Sequence, residues 1–389
     1  MKWRGERHME QSAFCEKQDF EKSGDRGYWV FRIPGLITTK KGTVIAWYDA
    51  RMGKGSDWDP IDIVIKRSFD NGVTWEEPRV LVGYEQYSAA EPVNNLVLFA
   101  DLVTGDVHCL YCTNYERLYY MKSDDEGASF SEPTDITSVM ETYRDRYAWQ
   151  VIAPGPGHGI QLTGGRLVIP VWMSEGTGEE FGNGKKGHRP SDVVSIYSDD
   201  HGQTWRPGEF VVRTSDAILH PNETVPVELS DGTVLFNVRT ESDTYRRLIV
   251  TSPDGAGTWS QPYFDEALPD PICFGSIIKL PEQQGYPVAP ILFANLSDLT
   301  GPQRTTKVSD TLIVRPYARQ GLTIKASVDD CRTWMACKSL ESGPAQYSDL
   351  AVAADGTILC LYERGAKTEQ ADERYLTLAR FNWAWVVED

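Results

Sequence analysis

The chain has 389 residues, of which 41% are hydrophobic and 24% charged, so it can build a large buried core and is not an intrinsically disordered chain. Its 56 acidic residues outnumber its 39 basic ones, which gives a formal net charge of −17. This charge argues against nucleic acid and anionic membrane surfaces as partners, and no apolar run reaches the ~18 residues of a membrane-spanning helix.

The N-terminus is polar and lacks the apolar core of a secretory signal; it reads MKWRGERHMEQSAFCEKQDF. The compartment is therefore left open between the cytoplasm and an exported form from which a signal has been removed. The seven cysteines are an odd and modest number, which favours reduced thiols. Cys109 and Cys112 form a CxxC pair, but the surrounding DVHCLYCTN is typical of a strand, and the six histidines show no metal-binding spacing.

Short runs rich in Val, Ile, Tyr and Trp, separated by Gly, Asp, Asn and Pro, predict an all-β chain. One early run is YWVFRIPGL at residues 28–36, with Arg32 in its middle. A guanidinium stays charged at physiological pH, and burying it without a partner is costly. We therefore expect Arg32 to meet an anion. No long amphipathic helix is expected, and residues 133–147 could hold a short helical turn.

A glycine turn followed by an apolar strand recurs six times. The successive glycines are 63, 60, 67, 53 and 71 residues apart. They are Gly42, Gly105, Gly165, Gly232, Gly285 (a looser copy) and Gly356. Six repeats of this length predict the blades of a β-propeller, each a four-stranded sheet.

A second phrase, S-x-D-x-G-x-T-W, falls later in several repeats. It is complete at residues 68–75 and 198–205 and degraded at 123–130, 252–259 and 327–334. We interpret it as a hairpin turn in which Asp and Ser satisfy turn amides, Gly takes a left-handed conformation and the aromatic packs between sheets. The strand at 375–386 is expected to complete a blade begun by the N-terminal segment.

These features resemble the sialidase (neuraminidase) family, in particular the bacterial exo-α-sialidases. The recurring turns resemble its Asp-boxes, and FRIP at residues 31–34 resembles its start motif. The resemblance covers about residues 25–387. It implies a six-bladed β-propeller of four-stranded antiparallel sheets, divided into an N-terminal extension (1–24) and a single catalytic domain (25–389), with the active site at the central mouth.

The resemblance implies three arginines that grip the carboxylate on the anomeric carbon of a sialic acid, and the arginine fork suits this two-point contact. Arg32 matches the first and Arg239, in DGTVLFNVRTES, the second. Arg319 matches the third by its place before an Asp-box, although the inserted segment before it also offers Arg304 and Arg315. An ordinary salt bridge between blades is the alternative for any one of them.

The resemblance also implies an acid in a mobile loop. The segment DARMGKGSDWDPIDIVIKRS offers Asp57, Asp59 and Asp62, and Asp62 alternates with isoleucines as a strand residue does. Asp57 is the match, with Asp59 as the alternative, and it would protonate the leaving oxygen and later activate water. Arg51 matches an arginine that binds the sugar ring near O4, or else is a surface charge.

The nucleophile that the family implies is a tyrosine, because a carboxylate would be repelled by the substrate's own carboxylate. A phenol with a pKa of about 10 needs a base beside it. Tyr347 in GPAQYSDLAV and Glu223 in HPNETVPVEL match this pair. Tyr347 also follows Arg319 by 28 residues.

The rest of the pocket is less defined. The segment 147–162 resembles a loop over the glycerol tail of the sugar, which would let Tyr147 or Trp149 line it. The Gly-rich segment 174–192 could overhang the mouth, but a solvated connection between blades is favoured. Phe274 stands where many relatives carry Gln, so the preferred sialic acid stays open.

The function implied is a retaining exo-α-sialidase that acts on sialylated glycans or glycoconjugates, with no metal or organic cofactor and no membrane insertion. One alternative keeps the site and changes the sugar to another 2-keto-3-deoxy acid, such as Kdn or Kdo. A second alternative is a propeller that binds sialic acid without turnover; the filled acid, base and nucleophile positions argue against it.

Overall fold

Strands dominate the computed structural model, which describes residues 12–87, 92–180, 185–308, 311–366 and 374–388. Within these ranges there are 29 strands and two helices of four and five residues. None of the described helices has the length and apolar character needed to cross a membrane. The first helix lies inside the segment 133–147, as predicted.

The elements have the following bounds. The first half of the chain contains β1 (Cys15–Lys22), β2 (Val30–Thr38), β3 (Val44–Arg51), β4 (Ile61–Ser68), β5 (Arg79–Val82), β6 (Val93–Ala100), β7 (Val107–Thr113), β8 (Arg117–Ser123), β9 (Thr134–Asp135), α1 (Ser138–Glu141), β10 (Val151–Pro154), β11 (Gly157–His158), β12 (Ile160–Gln161), β13 (Leu167–Ser174), β14 (Glu179–Glu180) and β15 (Lys185–Lys186). The second half contains β16 (Ser191–Ser198), β17 (Arg206–Val212), β18 (Thr224–Glu228), β19 (Val234–Val238), β20 (Arg246–Ser252), β21 (Tyr263–Pro269), β22 (Ser276–Lys279), β23 (Ile291–Leu296), β24 (Arg304–Val308), β25 (Thr311–Arg315), β26 (Gln320–Ser327), β27 (Ala336–Val352), β28 (Ile358–Arg364), β29 (Tyr375–Phe381) and α2 (Trp383–Val387). Single 3₁₀ turns occupy Asp25–Gly27 and Tyr84–Gln86.

The sheets form a β-propeller arrangement in which four blades are separate sheets. Their strand orders are β2-β3-β4-β5, β11-β6-β7-β8-β9, β10-β13-β16-β17 (with β12 also on β13) and β18-β19-β20-β21. A fifth, seven-stranded sheet runs β1-β29-β28-β27-β26-β23-β22, and β14–β15 and β24–β25 are two-stranded ribbons. Strand β2 contacts β6 and β27, and β18 contacts β22, so these strands lie innermost.

The six glycine turns occupy equivalent places in the fold. Each glycine has a left-handed φ between 84° and 94°, a conformation that glycine adopts without steric cost. The strands that follow them are β3, β7, β13, β19, β23 and β28, which pair with β2, β6, β10, β18, β22 and β27, respectively. The predicted repeat is therefore confirmed as a structural repeat.

The predicted Asp-box turns are also confirmed, and they follow β4, β8, β16, β20 and β26. In the first, the Ser68 hydroxyl donates to Asp70 at 2.8 Å and accepts the Gly72 N–H at 2.9 Å, and Asp70 accepts the Thr74 N–H at 2.8 Å. Trp75 packs edge-on against Phe20, with ring centroids 4.9 Å apart. The same serine and aspartate bonds recur at 123–129, 198–204 and 327–333, and a shorter version recurs at 252–257.

The two ends of the chain meet in one sheet, as predicted. Strand β1 pairs antiparallel with β29, from Cys15 opposite Phe381 to Lys22 opposite Tyr375. Part of the predicted extension 1–24 is therefore a strand of the propeller. The predicted strand 375–386 is too long, because Asn382 caps α2 by accepting the Trp385 N–H at 3.0 Å.

All seven cysteines lie within the described residues and are free. Cys109 and Cys112 are buried on β7, the strand predicted for DVHCLYCTN. Burial raises the pKa of both thiols well above the usual value, so neither is reactive. The CxxC pair is a packing feature of the second blade.

Candidate active site

The candidate site lies at the end of the propeller where the innermost strands begin. Arg32 is the third residue of β2, Glu223 immediately precedes β18, and Tyr347 lies in β27. Arg239 follows β19 directly, and Arg319 directly precedes β26. Five of the predicted residues, contributed by different sheets and loops, therefore converge on one place.

A bulge in β2 presents Arg32 to the site. The register of β2 against β3 shifts between Arg32 and Gly35, and Ile33 has a left-handed φ of 53°. Gly35 is required there, because a Cβ atom would lie 2.0 Å from the ring of Trp47. Glu363 fixes the bulge by accepting the Ile33 N–H at 3.0 Å and the Arg32 Nε–H at 3.1 Å.

Tyr347 stands at the centre of the site and is 6% exposed. Its hydroxyl donates to Glu223 Oε1 at 2.5 Å and accepts from Arg239 Nη1 at 3.0 Å, and Arg239 also forms an ion pair with Glu223. The guanidinium carbons of Arg32 and Arg319 lie 5.2 and 5.6 Å from the centroid of the Tyr347 ring. One phenol thus contacts one carboxylate and three guanidiniums.

The environment of Tyr347 keeps its phenol protonated. Burial raises the pKa of Tyr347 far above its usual value, Arg239 opposes the shift, and Glu223 adds to it. A protonated phenol is a weak nucleophile. The hydrogen bond to Glu223 provides an acceptor for its proton.

The structure distinguishes among the three candidates for the third arginine. Arg319 donates twice to the Ile272 carbonyl, at 2.6 and 3.1 Å, and once to Gln346 at 3.3 Å. Arg304 donates to the Pro271 carbonyl at 3.2 Å, and Arg315 forms an ion pair with Glu241. Of the three, Arg319 is the one whose guanidinium lies over the Tyr347 ring.

The three acidic residues at and after the loop between β3 and β4 make different contacts. Asp59 accepts the N–H groups of Lys54 and Ser56, each at 2.9 Å, and so braces the loop from within. Asp62 accepts the Tyr28 hydroxyl at 2.5 Å on β4, in line with the structural role predicted for it. The Asp57 side chain is 35% exposed and pairs with Arg51, so a ligand can reach its carboxylate.

Charges near Asp57 hold it ionised. Burial opposes ionisation, but Arg51, Arg32 and His188 outweigh it and lower the pKa of Asp57 well below its usual value. Asp49 lies on the other side of Arg51. Burial raises the pKa of Asp49 to about 6, although Arg51 acts to lower it. A proton for Asp57 must therefore follow a change in these neighbouring charges.

Arg51 is buried beside the predicted loop acid, and the two aromatics of segment 147–162 are buried in the core. Arg51 is 1% exposed and is held between Asp49, at 3.0 Å, and Asp57. Tyr147 donates to the Pro190 carbonyl at 2.9 Å, and Trp149 donates to the Met140 carbonyl at 2.9 Å. Both rings are buried in the core cluster that includes Met140, so these contacts give no support to their predicted place beside the sugar.

The segment 174–192 is not simply a solvated connection, and in this respect the favoured prediction was wrong. The His188 ring lies 5.7 Å from the Trp58 ring and 4.7 Å from the Tyr115 ring, between centroids. Lys185 lies over the Trp58 ring at 5.2 Å. The described part of the segment thus packs on the loop that carries Asp57.

Two site residues were missed from the sequence. Glu363 and Gln346 both hold Arg32, and Gln346 also accepts from Arg319. Glu363 ends the apolar run LCLYE, so the argument applied to Arg32, that a charge in an apolar strand needs a partner, would have found it. Phe274, noted as a departure from many relatives, lies against Tyr347 with ring centroids 5.5 Å apart.

The sequence comparisons point to one family. Residues 40–360 match the family described as a BNR repeat-like domain. A sialidase of Micromonospora viridifaciens is 30% identical over 390 residues, which cover 95% of this chain and 54% of that protein. A sialidase of Bacteroides fragilis (strain YCH46) is 27% identical, over 88% of this chain and 61% of that protein. The chain thus spans only 54% and 61% of the length of these two relatives.

Solved structures share the fold. The Hadza microbial sialidase Hz136 superposes with a TM-score of 0.73 at 24% identity, covering 94% of this chain and 68% of that one. A leech intramolecular trans-sialidase, solved with 2,7-anhydro-Neu5Ac, gives a TM-score of 0.75 at 18% identity, covering 95% and 71%. With the family match over residues 40–360, these findings place the chain in the BNR repeat-like family and, within it, among the sialidase (neuraminidase) β-propellers.

Proposed function

We propose that the protein is a retaining exo-α-sialidase that hydrolyses terminal sialic acids from glycoconjugates through a tyrosyl-enzyme intermediate. The observation that carries the proposal is the contact of Tyr347 with Glu223 at 2.5 Å and Arg239 at 3.0 Å beneath two further arginines. A tyrosine nucleophile is the known sialidase exception to the two-carboxylate rule of glycosidases.

The charge balance of the site suits one substrate carboxylate. Arg32, Arg239 and Arg319 carry three positive charges, and the carboxylates bonded to them, Glu363 and Glu223, carry two negative charges. One positive charge remains among these five groups. A sialic acid carboxylate would neutralise it through charge-assisted hydrogen bonds, which are about twice as strong as neutral ones.

In the first step Glu223 accepts the Tyr347 proton while the phenol oxygen attacks the anomeric carbon. The bond to the leaving oxygen breaks, and that oxygen takes a proton from Asp57. In the second step Asp57 removes a proton from water, the water oxygen attacks the anomeric carbon, and the Tyr347 oxygen leaves and recovers its proton from Glu223. Two displacements at one carbon give net retention.

Substrate binding provides the change in charge that Asp57 needs in order to carry a proton. Arg51 and Arg32 are the largest influences that keep Asp57 ionised. The substrate carboxylate brings a negative charge to Arg32 and weakens its pull on Asp57. Removal of water by the sugar ring acts in the same direction, because desolvation disfavours the carboxylate form.

We also propose that the propeller has six blades and forms one catalytic domain from β1 onward. The seven-stranded sheet would contain two blades that share β27, a strand of 17 residues. Its first part pairs with β26 as far as Pro344, and its second part pairs with β28 from Ala345 onward. The six equivalent glycine turns support the same count.

The test is hydrolysis of a fluorogenic α-sialoside, with the β-anomer as control. Proton NMR of the first product should show the α-anomer of the free sugar, as retention requires. A fluorinated sialosyl donor should label Tyr347, located by mass spectrometry of a digest. No release from the α-sialoside, a β-anomer as first product, or a label on Asp57 or Glu223 would refute the corresponding part of the proposal.

The same assay separates the remaining alternatives. Matched Kdn and Kdo glycosides test whether the sugar is another 2-keto-3-deoxy acid. A structural neighbour from Ruminococcus gnavus is, like the leech protein, an intramolecular trans-sialidase, so the product is also examined for the 2,7-anhydro sugar. Free sialic acid as the main product supports hydrolysis.

A further inference from the structure

Gln346 lies directly before Tyr347 in β27, and both side chains reach the candidate site. In a regular strand, successive side chains point to opposite faces of the sheet. The pairing of β27 with β28 is irregular between Ala345 and Ser348. Both neighbours contact Arg32, Gln346 by a hydrogen bond and Tyr347 by its ring. A local irregularity of this kind re-aims side chains, and here it accompanies two adjacent residues that serve one site.

One oxygen of Gln346 joins two of the three arginines. Its Oε1 accepts from Arg32 Nη2 and from Arg319 Nη1, each at 3.3 Å, and an amide oxygen has the two lone pairs that this requires. The two guanidinium carbons also lie 5.2 and 5.6 Å from the centroid of the Tyr347 ring, so these like charges are close neighbours. The partial negative charge of the shared oxygen offsets their repulsion.

The other bonds of these two arginines orient each of them separately. Arg32 donates through Nε to Glu363 at 3.1 Å. Arg319 donates through Nε and Nη2 to the Ile272 carbonyl, at 3.1 and 2.6 Å. Within the described residues, Gln346 is the hydrogen-bond acceptor that both arginines share. The spacing between the two guanidiniums therefore depends on Gln346.

The charge of the site explains why an amide suits this position. Three arginines and two glutamates leave one positive charge among Arg32, Arg239, Arg319, Glu363 and Glu223. A carboxylate at position 346 would accept stronger hydrogen bonds from the arginines, but it would cancel that charge. It would also repel an anionic ligand, because like charges placed side by side oppose binding. An amide provides the acceptor and leaves the positive charge in place.

We propose that Gln346 is a positioning residue that makes the site selective for an anionic sugar. Its oxygen sets the spacing of Arg32 and Arg319, and its neutrality leaves their charge to the carboxylate of the substrate. This inference rests on the proposed function. Gln346 acts through the two arginines and takes no part in the making or breaking of bonds.

The test measures binding of 2,3-didehydro sialic acid and of its C1 carboxamide, which differ in the charge of one group. Calorimetry gives both Kd values, and their ratio measures the preference for the anion. We expect wild type to bind the acid about 100-fold more tightly. In Gln346→Glu this ratio should fall about tenfold or more, although its stronger bonds to the arginines should keep Tm at or above the wild-type value. In Gln346→Met the ratio should fall only about threefold, because the weak thioether acceptor loses the preorganisation and not the charge.

Hydrolysis of a fluorogenic α-sialoside gives a second measurement. Both variants should raise KM more than they lower kcat, because Gln346 does not act on the reacting atoms. A purely structural role would reverse the order of the two variants. Gln346→Met would then be the more damaged protein, and Gln346→Glu would keep the preference for the acid because it holds the arginines more firmly.

The control is Gln203→Glu, which adds the same charge at an exposed residue of the turn after β16. It should leave the ratio of the two Kd values unchanged, and circular dichroism should show that all variants are folded. No preference for the acid in wild type, an unchanged ratio in Gln346→Glu, or a larger fall in Gln346→Met overturns the inference. Wild type that binds the acid but cleaves no sialoside refutes the proposed hydrolysis instead, and the binding ratios still decide the role of Gln346.

Discussion

The two ends of the innermost strands differ in chemistry, although the same strands form both. The end where they begin holds Arg32, Glu223 and Tyr347 in hydrogen-bonded contact with other charged groups. The end where they finish surrounds a cavity of about 570 Å³, lined largely by apolar residues such as Leu36, Phe99 and Leu350. Either end of the innermost strands can therefore enclose a space, but the side chains there determine whether that space can catalyse a reaction.

A polar cluster separates the two ends. Asp349 accepts from His158 at 2.9 Å and from Ser276 at 2.6 Å with one oxygen, and from the Leu36 N–H at 2.9 Å with the other. These four residues come from β27, β11, β22 and β2, so the cluster joins four strands near the axis. It contains Asp, His and Ser, but the serine binds the aspartate and not the histidine, which is unlike a catalytic triad.

The largest expected effect is at Tyr347. Tyr347→Phe removes the attacking oxygen, and kcat for an α-sialoside should fall by about 10³-fold or more. Glu223→Ala should act on the same step, so the double variant should be little worse than the worse single one. Steady-state kinetics of the four proteins measures this coupling. Effects that multiply independently would mean that the two residues do not act as a unit.

The second-largest expected effect distinguishes Asp57 from Asp59, the two candidate acids of the loop between β3 and β4. Asp57→Ala should reduce turnover of poor leaving groups by about 10²–10⁴-fold and spare an activated aryl sialoside, because only poor leaving groups need protonation. Asp59→Ala should instead loosen the loop, by removing the acceptor of the Lys54 and Ser56 N–H groups, and affect both substrates alike. The reverse pattern, measured with the same two substrates, would exchange the two roles.

The sequence predicted the convergence of some candidate residues but not the contacts that others make, for a physical reason. Arg32, Tyr347 and Glu223 lie on or beside innermost strands, where the strand fixes the direction of the side chain. Tyr147, Trp149 and the segment 174–192 lie on connections, whose direction depends on contacts with distant residues such as Trp58 and Pro190. The blade repeat was predictable because its glycine and Asp-box turns are local hydrogen-bonded structures.

A third prediction addresses the apolar end directly. Phe99→Ala removes a ring that is 2% exposed and should lower the free energy of unfolding by about 3–5 kcal/mol. Chemical denaturation measures this loss. Activity per folded molecule should stay within about twofold of wild type, because the ring lies at the end opposite to Tyr347. A stable Phe99→Ala variant with strongly reduced kcat would show that the apolar end takes part in the reaction.

The smallest effect concerns the polar cluster between the ends. Burial disfavours the charged form of His158, but Asp349 outweighs it, and the pKa of His158 is raised above 6.5. Both ring nitrogens face acceptors, Asp349 and the Ile277 carbonyl, which suits the imidazolium. The pair therefore stabilises the fold fully below pH 6.5, the pKa of the histidine in the unfolded chain, and its contribution is lost as the pH rises through the folded pKa.

His158→Gln should lower Tm most near pH 6, by less than about 3 °C, and the difference in Tm from wild type should narrow toward pH 8. Calorimetry of both proteins over this pH range measures the difference in Tm. Other groups titrate there too, such as Lys325, whose pKa is lowered to about 8, chiefly by burial, but they titrate in both proteins and cancel in the difference. A difference in Tm that stays constant or widens with pH would mean that His158 is neutral in the folded protein and does not form an ion pair with Asp349.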